Sequence, residues 1–413
     1  AIELMDATSL RVAQRDPEAT AELRAITVKD HAALLVEFQE PTASDLSRKI
    51  ADVSSLLESL PLVKSAELTS DPITRAQMWH IRKGLYATVA GNRPSGTTAL
   101  LEDVAVPVSE LLATCQELIA LFAKHGYEDS VIFGHARDGN IHFMLNEEFE
   151  NPAKLQRYRE FTEEMVELVL AHGGTLKAEH GTGRMMAPYV RRQYGDELYD
   201  VMWALKRLLD PAGILNPGII LSENLDTHCQ NLKVFPKIQK VADNCVECGY
   251  CEPVCPSKNL TLTPRTRIVM QRELALAKSA GNKSLAREIE NEFSYKGEDT
   301  CAVDGMCATA CPLSINTGSL VRYLRADNAS PIFKKAWQLA AQNWSLFTQA
   351  ASVSLKIAHL LPGLSKYPTG GSKRKSAPLA NFDAIFFPSC TGTLFGTSDS
   401  ISSLLTLADR AGI

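Results

Sequence analysis

No stretch of this 413-residue chain reaches the roughly 18 uninterrupted apolar residues of a bilayer-spanning helix, so the sequence predicts no membrane span. It also lacks a basic excess. With 43 Lys and Arg against 48 Asp and Glu, the net charge is -5 and the isoelectric point near 6, which argues against nucleic acid, because phosphate recognition needs a concentrated basic face. The one basic knot, Lys373-Arg374-Lys375, follows Gly370-Gly371 and reads as a solvated linker. No dinucleotide fingerprint is present: Gly181-x-Gly183 lacks the third glycine and the acidic ribose partner, and these glycines are expected to allow a tight turn. The start, Ala1-Ile2-Glu3-Leu4-Met5-Asp6, carries neither an initiator methionine nor a secretory segment, and the chain is expected to be a fragment of a longer protein. What remains is the profile of an ordinary globular chain of two to three domains, 45% hydrophobic and 22% charged.

Cysteine is scarce except in two places. Seven of the ten fall into Cys245-x2-Cys248-x2-Cys251-x3-Cys255-Pro256 and Cys301-x5-Cys307-x3-Cys311-Pro312. This is the signature of paired iron-sulfur clusters, in which three cysteines of a run hold one cluster and the fourth, before Pro, ligates the other. Cys245, Cys248, Cys251 and Cys311 are then expected on one cluster, and Cys301, Cys307 and Cys255 on the second. The middle position of the second run is Asp304, a harder ligand that holds iron less firmly. The second cluster is therefore expected as a [4Fe-4S] with one aspartate ligand or a [3Fe-4S]. Two zinc sites are the alternative, disfavoured because structural zinc takes four ligands in two short pairs. Clustered thiols point to a reducing, cytoplasmic compartment. Of the other cysteines, Cys115 is expected in the core and Cys229 in a linker.

Residues 1–222 alternate strand-like runs (His31 to Phe38, Asp103 to Val108, Val131 to His135, Ile141 to Leu145) with helical patterns (Ser109 to His125, Pro152 to His172), which predicts an α+β domain, an antiparallel sheet covered by helices. A linker at 223–240 is expected to lead to an all-α two-cluster domain at 241–330, with a helical stretch from Arg267 to Phe293. Residues 331–380 read as an amphipathic helix, with Trp337, Trp344, Phe347 and Leu355 at near-heptad spacing, followed by linker. The bland reading is packing on a neighbour; the alternative is peripheral membrane contact. Residues 381–413 give a strand, Asp383 to Cys390, and a helix, Ser400 to Asp409, as the start of an α/β domain that is cut short.

Two segments of the first domain concentrate ionisable groups: Gly134-His135-Ala136-Arg137-Asp138-Gly139-Asn140-Ile141-His142 and Lys177-Ala178-Glu179-His180-Gly181-Thr182-Gly183-Arg184. If Asp138-Gly139 is a two-residue hairpin turn, the strands pair 137 with 140 and 135 with 142, setting the two histidines directly opposite on one face. Both imidazoles then reach one metal ion, Glu179 completes an open three-ligand site, and His180 is left as a base. Imidazole and carboxylate together accept zinc, manganese or iron. Arg82 and Lys83 are candidates to clamp a carboxylate.

The Gly-His-x3-Gly-Asn-x-His segment, Glu179-His180-Gly181-Thr182-Gly183 and Asp210-Pro211-x-Gly213-x-Leu215-Asn216-Pro217-Gly218 resemble the C-terminal, substrate-side domain of FAD-linked oxidases of the vanillyl-alcohol oxidase type. That resemblance implies a ferredoxin-like sheet, metal ligands at His135, His142 and Glu179, a base at His180, a substrate-carboxylate arginine at Arg82, and Asn216 beside the flavin. Phe387-Pro388-Ser389-Cys390-Thr391-Gly392 is similar to the start of the cysteine-rich domain of glycolate oxidase iron-sulfur subunits. Together they are similar to large fused FAD and iron-sulfur D-lactate or D-2-hydroxyglutarate dehydrogenases, lacking the FAD-binding domain. The resemblance implies FAD, a small 2-hydroxy acid substrate and a quinone or protein electron acceptor. Glycolate oxidation and a non-catalytic electron-transfer module remain alternatives. One departure is Leu101, before Glu102-Asp103, where many relatives carry a substrate-contacting Lys.

Overall fold

The computed structural model describes residues 1–412 apart from 17, 18, 67 and 361–399. The expected strand at Asp383 to Cys390, the Phe387–Gly392 motif and the Lys373–Lys375 knot lie outside the described residues. The chain forms two compact units, Ala1–Tyr323 and Leu324–Ile413.

Unit 1 is built on a five-stranded antiparallel sheet of β1 (Ile2–Met5), β2 (Ala33–Val36), β3 (Thr98–Ala105), β4 (Val131–His135) and β5 (Asn140–Glu147), in the order β2-β1-β4-β5-β3. Alternation sorts the side chains onto two faces. Val104, Ile132, Ile141, Phe143 and Leu145 turn to one side and pack on Leu118, Leu121 and Phe122 of the Leu111–Lys124 helix and on Tyr158, Phe161, Met165 and Val169 of the Pro152–Ala171 helix. Met5, Val131, Phe133 and Met144 turn to the other and meet Leu85, Val89 and Ala90 of the Pro72–Gly91 helix. The odd positions of β1, β3 and β4 and the even positions of β5 thus share the second face, and this face also carries the histidines. Cys115 packs beside the first core, and burial pushes its thiol up to about 12.

The expected register of the histidine hairpin is corrected. Phe133, not His135, pairs with His142. Residues 136–138 form a 3-10 turn, and only Gly139 takes the left-handed conformation, at φ 66°. A two-residue type I′ turn needs positive φ at both central positions, which Asp138 does not adopt. The turn is instead fastened to the chain end of β3: the Val106 amide donates to the Gly139 carbonyl at 3.0 Å, and a Cβ at Gly139 would stand 1.9 Å from the Val106 carbonyl oxygen. The longer connection displaces the two histidines by two residues, which keeps them on the same face.

Helix boundaries follow local chemistry. The expected stretch from Arg267 to Phe293 is two helices, Pro264–Ser279 and Lys283–Phe293, because Gly281 takes φ 68° between them. The first starts with a capping box of Thr263 and Thr266 and Pro264 in the first turn. Residues 223–240, expected as linker, are packed: Thr227, His228, Cys229 and Phe235 are buried, and the Thr98 hydroxyl donates to the Lys233 carbonyl. In unit 2 the expected single amphipathic helix is a pair, Pro331–Gln342 and Trp344–His359, broken at Asn343. Ile332, Trp337, Leu339, Leu346 and Ile357 of that pair are exposed. No described helix is long and apolar enough to cross a membrane.

Gly139→Ala is expected to destabilise the fold by about 1–3 kcal/mol or more, from left-handed backbone strain together with the clash on Val106. A urea midpoint equal to that of the parent chain would show that the turn is not held as described.

Candidate metal site and cysteine cavities

Four side chains stand in a row across the second face of the sheet. Glu3 on β1 pairs directly with His135 on β4, and Asp103 on β3 pairs directly with His142 on β5. The sheet therefore gives each histidine its own carboxylate: His135 Nδ1 lies 2.9 Å from Glu3 Oε1, and His142 Nδ1 lies 3.3 Å from Asp103 Oδ1. With Nδ1 turned to a carboxylate, each ring presents Nε2 to the space between them. There both Nε2 atoms meet the same atom, Glu179 Oε1, at 3.2 Å.

Glu179 comes from a loop that Asp103 holds. The Asp103 carboxylate is fully buried, and its Oδ2 accepts from the backbone amides of Ala178, Glu179 and His180 at 3.2, 2.7 and 2.8 Å. Its Oδ1 accepts from the Asn140 side chain at 2.6 Å. Desolvation works against the charge of Asp103, but these donors and His142 outweigh it, and the carboxyl stays below its usual range. Burial, the largest influence on His142, holds its pKa down at about 4, so the ring is neutral and free to ligate above that pH. This histidine is charged more readily in the unfolded chain, so the stability it supports is present above about pH 6.5 and falls as pH drops towards 4. His135 is also desolvated, yet Glu3 and Glu179 outweigh burial and raise its pKa.

This donor set fits a divalent cation. Two imidazole lone pairs and a carboxylate oxygen converge, with all ligand atoms of His135, His142 and Glu179 within 4.8 Å of one another. With both Nε2 atoms deprotonated, two bare acceptors and an anionic oxygen repel unless a cation stands between them. A carboxylate on the far nitrogen of a ligating histidine is the usual outer support of such sites. His180 stacks flat on His142, ring centroids 4.9 Å apart at 8°, with Nε2 at 3.6 Å from Glu179 Oε1 and its side chain 41% exposed. Arg82 closes the other end, 2.8 Å from Glu3 Oε2 and over the Phe133 ring at 5.0 Å, with its buried Nε lacking a hydrogen-bond partner. The structure thus gathers Arg82, His135, His142, Glu179 and His180 in one place. Lys83 instead stacks on Trp79. Asn216 lies in an exposed turn at φ 47°, and its segment meets the Glu179 loop where the Ile220 amide donates to the Gly183 carbonyl at 3.0 Å. Leu101 is a partly buried apolar residue of the second face.

Sequence reasoning missed Glu3, Asp103 and Asn140. The signal for Asp103 was Glu102-Asp103 inside the apolar run Ala99 to Val106, where a buried charge needs a partner. For Glu3 no sequence signal existed, because its role depends on β1 pairing with β4.

The cysteine runs are brought together across the sequence. Cys255, Cys301, Asp304 and Cys307 line a single cavity with Pro264, Arg267 and Thr317. Cys251 is pushed up to about 12 by burial, then by the neighbouring charges of Cys245 and Cys311. No disulfide joins any of the described cysteines. The two loops share one backbone: Glu247 and Val303 are left-handed at φ 59° and 55°, and Gly249 and Gly305 at 88° and 78°. Asp304 therefore occupies the position that Cys248 has in the first loop. Thiols gathered this closely fit a group that binds them as thiolates, since deprotonation without a cation would set like charges together. The first loop rests on the Pro72–Gly91 helix: Arg93, just past its end, donates to the carbonyls of Asp243, Asn244 and Cys245, and Leu313 fills the space beside Gly91.

Asp103→Asn is expected to weaken zinc binding about 10–100-fold in calorimetric titration of chelator-treated protein, through loss of support to His142 and to the Glu179 loop. Unchanged affinity would remove Asp103 from the site.

Residues 1–220 match the family of FAD linked oxidases, C-terminal domain, and residues 241–315 match the 4Fe-4S dicluster domain. The glycolate oxidase subunit GlcD of Bacillus subtilis is 35% identical over 144 residues, covering 35% of this chain and 30% of the relative. A probable mitochondrial D-lactate dehydrogenase of Danio rerio is 32% identical, over 37% of this chain and 30% of its own. The D-2-hydroxyglutarate dehydrogenase of Pantoea ananatis is 25% identical, over 76% of this chain and 37% of its own. The chain spans about a third of the length of these relatives. Matched over more than half its length, the chain belongs to the FAD linked oxidases, through their C-terminal domain, and carries a 4Fe-4S dicluster domain after it.

Proposed function

We propose that this chain is the substrate-side and iron-sulfur part of an FAD-dependent D-2-hydroxy acid dehydrogenase that turns a D-2-hydroxy acid into the 2-keto acid and passes electrons to a quinone or protein acceptor. The observation that carries this reading is the convergence of His135 Nε2, His142 Nε2 and Glu179 Oε1 beside the stacked His180, with Arg82 in the same row. When bound, a divalent zinc, manganese or iron ion supplies Lewis-acid polarisation, the flavin supplies hydride acceptance, and the clusters supply one-electron transfer. His135, His142 and Glu179 hold the cation, with Glu3 and Asp103 fixing both rings. His180 takes the proton of the 2-hydroxyl, an imidazole being suited to proton transfer near neutral pH. Arg82 orients the substrate carboxylate, and Asn216 belongs to the segment facing the flavin.

The cysteines are assigned reciprocally, Cys245, Cys248, Cys251 and Cys311 to one cluster and Cys255, Cys301, Cys307 with Asp304 to the other. This is supported by the shared cavity and by the mutual influence of Cys245, Cys251 and Cys311. The ferredoxin-like grouping of the sheet and the division at residues 222 and 241 belong to the same proposal. The relatives named D-2-hydroxyglutarate dehydrogenase match over 76% and 77% of this chain, which supports the fused arrangement, and D-2-hydroxyglutarate, D-lactate and glycolate are its candidate substrates.

His180→Ala in the full-length flavoprotein is expected to slow substrate-dependent flavin reduction about 100-fold or more while leaving bound metal in place. Reduction at the parent rate would sink the base assignment, and retention of turnover after loss of the metal would favour a non-catalytic electron-transfer module. Peripheral membrane contact is a second reading for the Pro331–His359 pair, favoured by its exposed apolar residues and by Lys334, Lys335 and Lys356 with no acidic residue between 331 and 359. Flotation with anionic vesicles is expected; chain left at the bottom of the gradient would exclude it.

A further inference from the structure

Arg267 sits in the first turn of the Pro264–Ser279 helix and is 1% exposed. Its Nε donates to the Gly297 carbonyl at 2.7 Å, Nη2 to Ser257 Oγ at 2.9 Å and to Thr300 Oγ1 at 3.4 Å, and Nη1 lies 3.8 Å from Cys255 Sγ. None of these partners is a carboxylate. Of the three other buried arginines, Arg82 pairs with Glu3 and Arg272 with Glu247, and Arg93 has the charges of Asp243 and Glu247 nearby. A guanidinium keeps its charge inside a protein, and a buried charge without an opposite one is strongly destabilising. The polar carbonyl and hydroxyls around Arg267 satisfy its hydrogen bonds but supply no negative charge.

Negative charge is available from the cavity. Arg267 lines the cavity of Cys255, Cys301, Asp304 and Cys307, and its Nη1 faces the sulfur of Cys255. Ser257 links the same pair, its Oγ being 3.2 Å from Cys255 Sγ while it accepts from Arg267. Thr300, the residue before Cys301, is a partner from the other run, held in turn by Thr261 at 2.6 Å. One buried cation thus reaches both cysteine runs that close this cavity.

We propose that Arg267 is the buried counter-charge of the second iron-sulfur site, holding its anionic ligand set together and raising its reduction potential. This rests on the cluster assignment under Proposed function. A cluster gains one negative charge when it takes one electron, so a fixed cation beside a ligand sulfur favours the reduced form, and a hydrogen bond to that sulfur acts in the same direction. Arg267 is a positioning and tuning residue, since it acts through Cys255.

The test is an anaerobic redox titration of the full-length holoprotein followed by low-temperature EPR, with iron quantified, for the parent, Arg267→Gln and Arg267→Lys. In Arg267→Gln the reduction equilibrium of the second cluster is expected to shift at least tenfold towards the oxidised form, about 59 mV for one electron, with the first cluster unmoved. Arg267→Lys, which keeps the charge, is expected to shift it less. Equal potentials in parent and Arg267→Gln, with both clusters loaded, would overturn the proposal. Where Arg267→Gln does not retain the second cluster, Arg267→Lys decides: retention supports a charge requirement, and loss there too shows that packing rather than charge is needed and overturns it. Parent protein with no iron at the second cavity would instead defeat the cluster assignment itself. The oxidised spectrum of the parent also separates an aspartate-ligated [4Fe-4S] from a [3Fe-4S] at Asp304.

Discussion

The buried carboxylate of Asp103 is the constraint on which the candidate site depends. It accepts from three successive amides of residues 178–180, from Asn140, and stands beside His142. An acid with no exposure in the middle of a sheet is costly unless its oxygens are filled, and here filling them orders a loop that otherwise has no regular structure. That loop delivers Glu179 to the histidines and lays His180 over His142. One charge, placed by β3, therefore positions Glu179 and His180 and stands beside the ring of His142. Glu3 performs the matching task for His135 and Arg82 at the other edge of the row.

The same physics recurs in the cysteine domain, with the signs reversed. There buried guanidinium groups do the fastening: Arg93 and Arg272 both donate to the carbonyls of Asp243 and Cys245, and both stack on Phe235 at 4.8 and 4.3 Å. Arg93 follows directly on the helix that carries Arg82, so one helix connects the histidine row to the first cysteine loop. Arg82 lies in the middle of that helix and Arg93 just past its end, so one element touches both the histidine row and the first cysteine loop.

Much of this was legible in the chain. The cysteine spacings and Pro256 and Pro312 predicted the reciprocal gathering of the two runs, and the structure brings Cys255 from the first run to the cavity of Cys301 and Cys307. Strand β4 and the Pro152–Ala171 helix were visible in their periodicity. The register of the hairpin was not, because the sequence Asp138-Gly139 reads as a two-residue turn while the contact of Gly139 with Val106 comes from a distant strand. Glu3 and Asn140 were illegible for a similar reason: each acts through a neighbour brought by sheet pairing, and no local pattern marks it. The equivalence of Asp304 with Cys248 was visible in spacing, and the matching left-handed residues show its backbone origin.

The most direct test of the central claim is zinc-edge X-ray absorption on full-length protein whose site has been stripped and reloaded with zinc. Two imidazole nitrogens at about 2.0–2.1 Å with carboxylate oxygen and no sulfur, reduced to one imidazole in His142→Ala, are predicted. Sulfur scattering as the dominant shell, or a spectrum unaltered by His142→Ala, would place the metal elsewhere and contradict the account.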